Sequence, residues 1–109
     1  QFQMARRRML KAVPKATVVI TNPTHLAIAL QYERGKMIAP LVVAKGAGFV
    51  AEKIKEEARK HSIPIMENKP LAQALFKAAD IGDYVPEELY RAVAEVMAYV
   101  YRLKPGIGL

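Results

Sequence analysis

Four consecutive residues, Asn22-Pro23-Thr24-His25, stand between two apolar runs, TVVIT (17–21) and LAIALQY (26–32). Their types bear on one particular reaction. An asparagine in a chain ordinarily ages when the backbone nitrogen of the next residue attacks its side-chain carbonyl. Proline has no backbone N–H, so Pro23 closes that route. The remaining intramolecular reaction runs the other way. The Asn22 side-chain nitrogen attacks the backbone carbonyl carbon of Asn22, closes an imide ring and expels the nitrogen of Pro23. The product is a broken chain rather than a deamidated one. An amide nitrogen is a weak nucleophile, so most of the acceleration must come from a held near-attack geometry. Twisting the tertiary Asn22–Pro23 amide would weaken its resonance, and strained turns are where such distortion persists. His25 is the residue to accept a proton or polarise the carbonyl. Thr24 can offer a hydroxyl or a backbone donor to the developing oxyanion. The same four residues also spell an ordinary turn, with Asn opening it and Pro second. Residue type and spacing leave both readings open.

Whatever the loop does, its neighbours must hold it. TVVIT is short and β-branched, which predicts a buried strand, and LAIALQY predicts a second one after the bend. ERGK (33–36) supplies a turn, and PLVVA (40–44) a third strand with its proline at the start, where no ladder donor is needed. KGAG (45–48) is expected to open a helix over 49–61, with Phe49, Val50, Ile54 and Ala58 inward and its lysines and glutamates in solvent. IPIME (63–67) predicts a short fourth strand. Pro70 belongs in the first turn of a helix over 70–79. DIGDYV (80–85) is a loop, and Pro86, Glu87 and Glu88 begin a last helix running to about Leu103. Residues 1–13 predict a loosely amphipathic helix with Phe2, Ala5, Met9, Leu10 and Val13 on one side, ended by Pro14. The predicted architecture is α/β: a small central sheet of about four strands surrounded by about four helices, with an N-terminal linker helix.

At 109 residues the chain fits one domain, and 52% hydrophobic with 25% charged residues is ordinary for a folded one. No apolar run approaches the ~18 residues of a membrane-spanning helix, and no signal-peptide pattern follows the basic start. The absence of cysteine excludes disulfides and thiolate metal sites and fits a reducing compartment. The net charge of +7 is unevenly spread. Arg6, Arg7, Arg8, Lys11 and Lys15 supply five positive charges with no acid among them, leaving 12 bases and 10 acids, a net +2, for the other 94 residues. A basic leader on a near-neutral body suits an anionic membrane surface or the cytoplasmic flank of an upstream membrane helix. No nucleic-acid partner is expected, because neither a recognition motif, a basic groove pattern nor interleaved aromatics is present.

Two further features could bind something. The last helix carries one stripe of Leu89, Val93, Val96 and Val100 and a second of Tyr90, Ala94, Met97 and Tyr101. The second stripe is either core or, beside the Ala39-Pro40 loop, a dock for short apolar segments; the docking reading names Ala39, Pro40, Ala94 and Met97. AKGAG (44–48) before a helix could hold a phosphate but lacks the full P-loop spacing, which favours a tight strand-to-helix turn. His25 and His61 are too few and too far apart for a metal site, so neither a metal nor another cofactor is expected.

The longer stretches VPKATVVITNPTHLAIALQY, APLVVAKGAGFVAEKI, IPIMENKPLAQALF and VPEELYRAVAEVMAYVYRLK together resemble the cytoplasmic domain of the FlhB/YscU export-switch family of type III secretion machines, closest to its flagellar branch. The resemblance runs from about Met4 to Lys104. It implies a four-stranded sheet ringed by helices, an upstream membrane domain of several helices, and a location on the cytoplasmic face of the bacterial inner membrane. Residues 1–15 would then be the linker from that domain and 16–109 the switch domain. The resemblance also implies self-cleavage between Asn22 and Pro23, with Asn22 self-attacking, Pro23 the new terminus, and Thr24 and His25 supporting. That event permits a change from rod- and hook-type to filament-type export substrates. The implied partners are export-gate membrane proteins, a hook- or needle-length control protein, exported substrates and the cleaved N-terminal fragment. Three positions depart from the family pattern: Leu26 where an aromatic is frequent, Gln73 where arginine is usual, and Phe76 where tyrosine is common. The rival reading is a non-cleaving module for nucleic acid or phospholigands in which NPTH is a simple turn.

Overall fold

Apolar runs without polar alternation fit strands buried on both faces, and the chain uses them so. In the computed structural model, which describes residues 2–103, they become β1 (Val18–Asn22) and β2 (Leu26–Gln31). With β3 (Leu41–Ala47) and β4 (Ile65–Glu67) they form one mixed sheet in the order β3-β2-β1-β4. β1 runs antiparallel to β2 and parallel to β4. It is therefore central, and all five of its residues are buried. The helices are α1 (Phe2–Ala12), α2 (Phe49–Lys60), α3 (Lys69–Ala78) and α4 (Tyr90–Leu103), with single 3-10 turns at Val13–Lys15 and Glu87–Leu89. This is the expected α/β arrangement. The Phe2 side chain, assigned above to the apolar side of α1, lies outside the described side chains.

Alternation along the strands divides the core in two. Val18 and Ile20 of β1 and Ile28 and Leu30 of β2 pack with Leu71, Ala72 and Leu75 of α3 and Val93, Met97 and Val100 of α4. On the opposite face, Val19, Ala27 and Ala29 pack with Ala51, Ile54 and Ala58 of α2, and Met9, Leu10 and Ala12 of α1 close over them. Val13, just after α1, is fully buried, so α1 is docked on the body.

Several boundaries and two faces are corrected. Lys45–Gly48 does not open α2: β3 continues to Ala47, pairing Lys45, Gly46 and Ala47 with Ile28, Ala27 and Leu26. Gly46 is required by close approach, because a Cβ there would meet Val50 Cγ1 and would stand 2.8 Å from Val50 Cβ. Gly48 takes φ +58 and turns the chain sharply into α2. β4 is three residues rather than five, because the Ile63 N–H instead bonds the Ala58 carbonyl at the end of α2 (2.8 Å). The last helix opens with a 3-10 turn and becomes α-helical only at Tyr90. Phe49 is 63% exposed rather than inward, its ring flanked by Arg6 and Lys53. Lys55, expected in solvent, is 8% exposed.

Candidate functional site

Asn22 belongs to β1, paired with Leu26, so the loop is three residues, Pro23, Thr24 and His25, rather than a four-residue bend. Asn22 is only 6% exposed, whereas the three loop residues are exposed. By alternation Asn22 shares the sheet face of Val18 and Ile20. The His25 N–H donates to the Asn22 carbonyl oxygen at 2.9 Å and closes the turn. That carbonyl is the one an attack by the Asn22 side chain would address. A backbone donor on its oxygen polarises the carbon and faces the place where negative charge would develop.

Thr24 Oγ1 and His25 Nδ1 lie 2.7 Å apart, so the two side chains hydrogen-bond each other on the outer side of the loop. If the hydroxyl donates, His25 carries its proton on Nε2 and keeps Nδ1 as acceptor.

The loop is also held from outside. The Gly48 N–H, at the start of α2, donates to the His25 carbonyl at 2.9 Å. Two turns further along the same helix, Lys55 Nζ donates to the Pro23 carbonyl at 2.7 Å and pairs with Glu52 Oε2 at 2.6 Å. This hydrogen bond from Lys55 is the main cause that holds the Glu52 carboxyl below its usual range. On the strand side, the Thr21 carbonyl accepts from the Asn68 N–H at 2.9 Å, and the Asn68 side chain caps α3 through the Leu71 N–H. The sequence did not single out Lys55 or Asn68. The available signal for Lys55 was spacing: positions 51, 54, 55 and 58 share one arc of a helix, and a lysine stands there among Ala51, Ile54 and Ala58.

At the opposite end of β2 the chain forms a groove. Ala39, Pro40, Ala94 and Met97 come together along a cavity of about 310 Å³, with Tyr32, Tyr90 and Tyr101 also lining it. Ala39 and Met97 are buried and form its floor, while Ala94 and Tyr90 are exposed. The second stripe of α4 is thus split between core and surface. The Tyr101 hydroxyl meets Met97 Sδ at 3.9 Å, and the Arg34 guanidinium lies 5.8 Å from the Tyr101 ring centre. Burial pushes the Tyr101 phenol pKa up, against the opposing charge of Arg34.

The AKGAG segment has its polar groups occupied. Lys45 Nζ donates to the Phe76 carbonyl at 2.9 Å and to Asp80 at 3.1 Å, over the Phe76 ring, and the Gly48 N–H serves His25. His61 lies 3.7 Å from Glu57. Among the described residues no three side chains of metal-binding type are grouped.

Residues 1–100 match the family described as the FlhB HrpN YscU SpaS Family. The chain belongs to that family. The flagellar biosynthetic protein FlhB of Yersinia enterocolitica is 57% identical over 104 residues, covering 95% of this chain and 27% of that protein. The FlhB of Bacillus subtilis is 52% identical over 107 residues, covering 98% and 30%. The chain thus spans less than a third of the FlhB proteins it matches. The crystal structure of the cytoplasmic domain of FlhB from Shewanella putrefaciens superposes with a TM-score of 0.87 at 42% identity, covering 91% of this chain and 76% of that one. An EscU C-terminal domain superposes with a TM-score of 0.80 at 34% identity, covering 84% and 98%. Solved EscU variants replace an asparagine, the proline after it, and a histidine three positions beyond the asparagine. Asn22, Pro23 and His25 have the same spacing. The matched structures are cytoplasmic or C-terminal domains, and no helix among the described residues of this family member is long and apolar enough to cross a membrane.

Proposed function

We propose that this domain is the substrate-specificity switch of a flagellar type III export apparatus, made competent by a single break of its own backbone between Asn22 and Pro23. The Asn22 side-chain nitrogen forms a bond to the Asn22 carbonyl carbon. The bond from that carbon to the Pro23 nitrogen breaks, and a proton given up by the attacking nitrogen ends on the departing Pro23 amine. Water then opens the imide, leaving a carboxylate on the fragment 1–22. Asn22 is the nucleophile, Pro23 the leaving group, and Thr24 and His25 supply proton transfer and oxyanion stabilisation. The observation that carries this reading is the His25 N–H aimed at the Asn22 carbonyl oxygen at 2.9 Å.

After such a break β1 would stay in the sheet. It pairs with β2 over five residues and with β4 over three. Val13, Val18, Val19 and Ile20 on the short fragment are each fully buried, at about 1.5–3 kcal/mol apiece for the transfer alone. The product is a nicked, folded domain with two new charged ends at an exposed loop. A partner can tell those ends from the closed turn.

In this reading the groove of Ala39, Pro40, Ala94 and Met97 docks short apolar segments of exported substrates, and the domain works at the cytoplasmic face of the inner membrane, anchored by a domain preceding α1. Export-gate proteins and a hook-length control protein are its further partners, together with its own N-terminal fragment. Intact mass under denaturing conditions tests the central step. The expected result is two fragments whose masses sum to the intact 12.1 kDa plus one water, with Asn22→Ala remaining whole. An unbroken wild-type chain after prolonged incubation overturns the reading.

A further inference from the structure

Proline at position 23 has one soft backbone torsion. Its ring fixes φ, so the orientation of the Pro23 nitrogen relative to the rest of the loop depends on ψ, and ψ is set by where the Pro23 carbonyl points. In this fold that carbonyl points at a lysine. Lys55 Nζ donates to it at 2.7 Å from a side chain 10% exposed. Burying an ammonium is costly unless it is paired and hydrogen-bonded, and a helix face of Ala51, Ile54 and Ala58 would be served better by an apolar residue. The two acceptors that satisfy Lys55 are Glu52, one helical turn back, and the Pro23 carbonyl.

The grip is shared. The Gly48 N–H holds the His25 carbonyl from the start of the same helix. Two of the three loop carbonyls are thus fixed by α2, while Thr24 between them is exposed. Inside the loop, the His25 N–H can reach the Asn22 carbonyl only while the three-residue turn keeps its shape. Lys55 therefore acts on the reacting bond through Pro23 and does not itself touch the reacting carbonyl.

We propose that Lys55 is a positioning residue for the Asn22–Pro23 break: by anchoring the Pro23 carbonyl it holds the leaving nitrogen and the Asn22 carbonyl in the geometry of attack. This inference rests on the proposed self-cleavage. Misplacement of a reacting pair by about 1 Å can cost on the order of a hundredfold in rate, so a partial loss of alignment is expected to cost less than that.

Pulse-labelled cell-free synthesis of the 109-residue chain, chased and resolved by denaturing mass spectrometry, gives the first-order rate of the break. Lys55→Met keeps the stem and removes the donor; Lys55→Arg keeps a donor. The expected result is a break slowed on the order of tenfold or more in Lys55→Met, largely restored in Lys55→Arg, with thermal stability of Lys55→Met unchanged or raised. In the unbreakable Asn22→Ala background, adding Lys55→Met shifts the Pro23 carbonyl ¹³C resonance, which reports loss of the anchoring hydrogen bond; recovery of the rate in Lys55→Arg is the effect a merely structural lysine would not produce. The same criteria apply to Lys55→Leu, which also lacks a donor, should Lys55→Met not fold. Equal rates in wild type and Lys55→Met, or an unmoved Pro23 carbonyl resonance, overturn the inference and leave the self-cleavage reading standing. A wild-type chain that never breaks instead fails the self-cleavage reading itself.

Discussion

The two ends of β2 differ in what holds them. At the Leu26 end the loop is fixed through hydrogen bonds to its carbonyls: those of Asn22, Pro23 and His25 accept from the His25 N–H, Lys55 Nζ and the Gly48 N–H. At the Gln31 end, Tyr32, Ala39, Pro40 and α4 meet chiefly through apolar side chains around a cavity of about 310 Å³. Hydrogen bonds are directional, so the first end specifies an orientation, which an intramolecular attack needs. Apolar contact is non-directional, so the second end can accept varied apolar segments, which docking needs. The lesson is that a directional end and a non-directional end, to which the proposed function assigns timing and recognition, are joined by one six-residue strand.

A crossed pair of variants would break that comparison most sharply. Asn22→Ala is expected to abolish the backbone break and leave binding of a labelled amphipathic peptide at the groove unchanged by fluorescence anisotropy. Ala94→Asp, at an exposed position on the groove wall, is expected to do the reverse. Loss of both functions in either variant would show the ends to be one site. Next in size is the strand that both ends depend on. Ile20→Ala, in the fully buried centre of β1, should lower stability by about 2–5 kcal/mol, read by denaturant unfolding in the Asn22→Ala background. In the breakable chain it should release the fragment 1–22 on size-exclusion chromatography. Gly46→Ala should cost about 1–3 kcal/mol, because the new methyl meets Val50 at the start of the helix that grips the loop. The break should slow while groove binding stays within error.

The smallest expected effect is at the groove alone. Burial makes Tyr101 hold its phenolic proton more tightly in the fold than in the unfolded chain. Below the usual tyrosine range both states are protonated and this contribution is fully present. As pH rises through that range the unfolded chain ionises first, and the contribution is lost. Tyrosinate absorbance should show one late-titrating phenol, absent in Tyr101→Phe and unaffected by Asn22→Ala.

Local chemistry made much of this legible in the sequence. TVVIT was legible as a buried strand from its β-branched residues, and LAIALQY as a second from its short apolar run beside the Asn-Pro bend. Proline and glycine placed the bends, and the absence of a proline N–H left chain cleavage as the intramolecular reaction open to Asn22-Pro23, beside the simple-turn reading. The two stripes of α4 followed from a period of 3.6. Where the sequence misplaced a residue, packing at a distance had overridden local preference. β3 runs through Lys45–Ala47 because β2 offers a ladder there, and Phe49 faces out because Gly48 turns the chain.

Helical spacing sets Lys55 rather than Lys53 on the apolar arc of α2 but could not say what meets it there. Lys53 and Lys55 are both lysines in one amphipathic helix, two positions apart. Only docking of α2 onto the sheet buries Lys55 and brings it to a carbonyl 32 residues earlier in the chain. Likewise, Asn22 is buried as the last residue of a central strand, paired with Leu26 of β2, rather than standing in an exposed bend. Residue types thus determined what reaction the loop could undergo. The geometry that would favour it arises from hydrogen bonds between segments far apart in sequence, and their directions are set only when the helices close on the sheet.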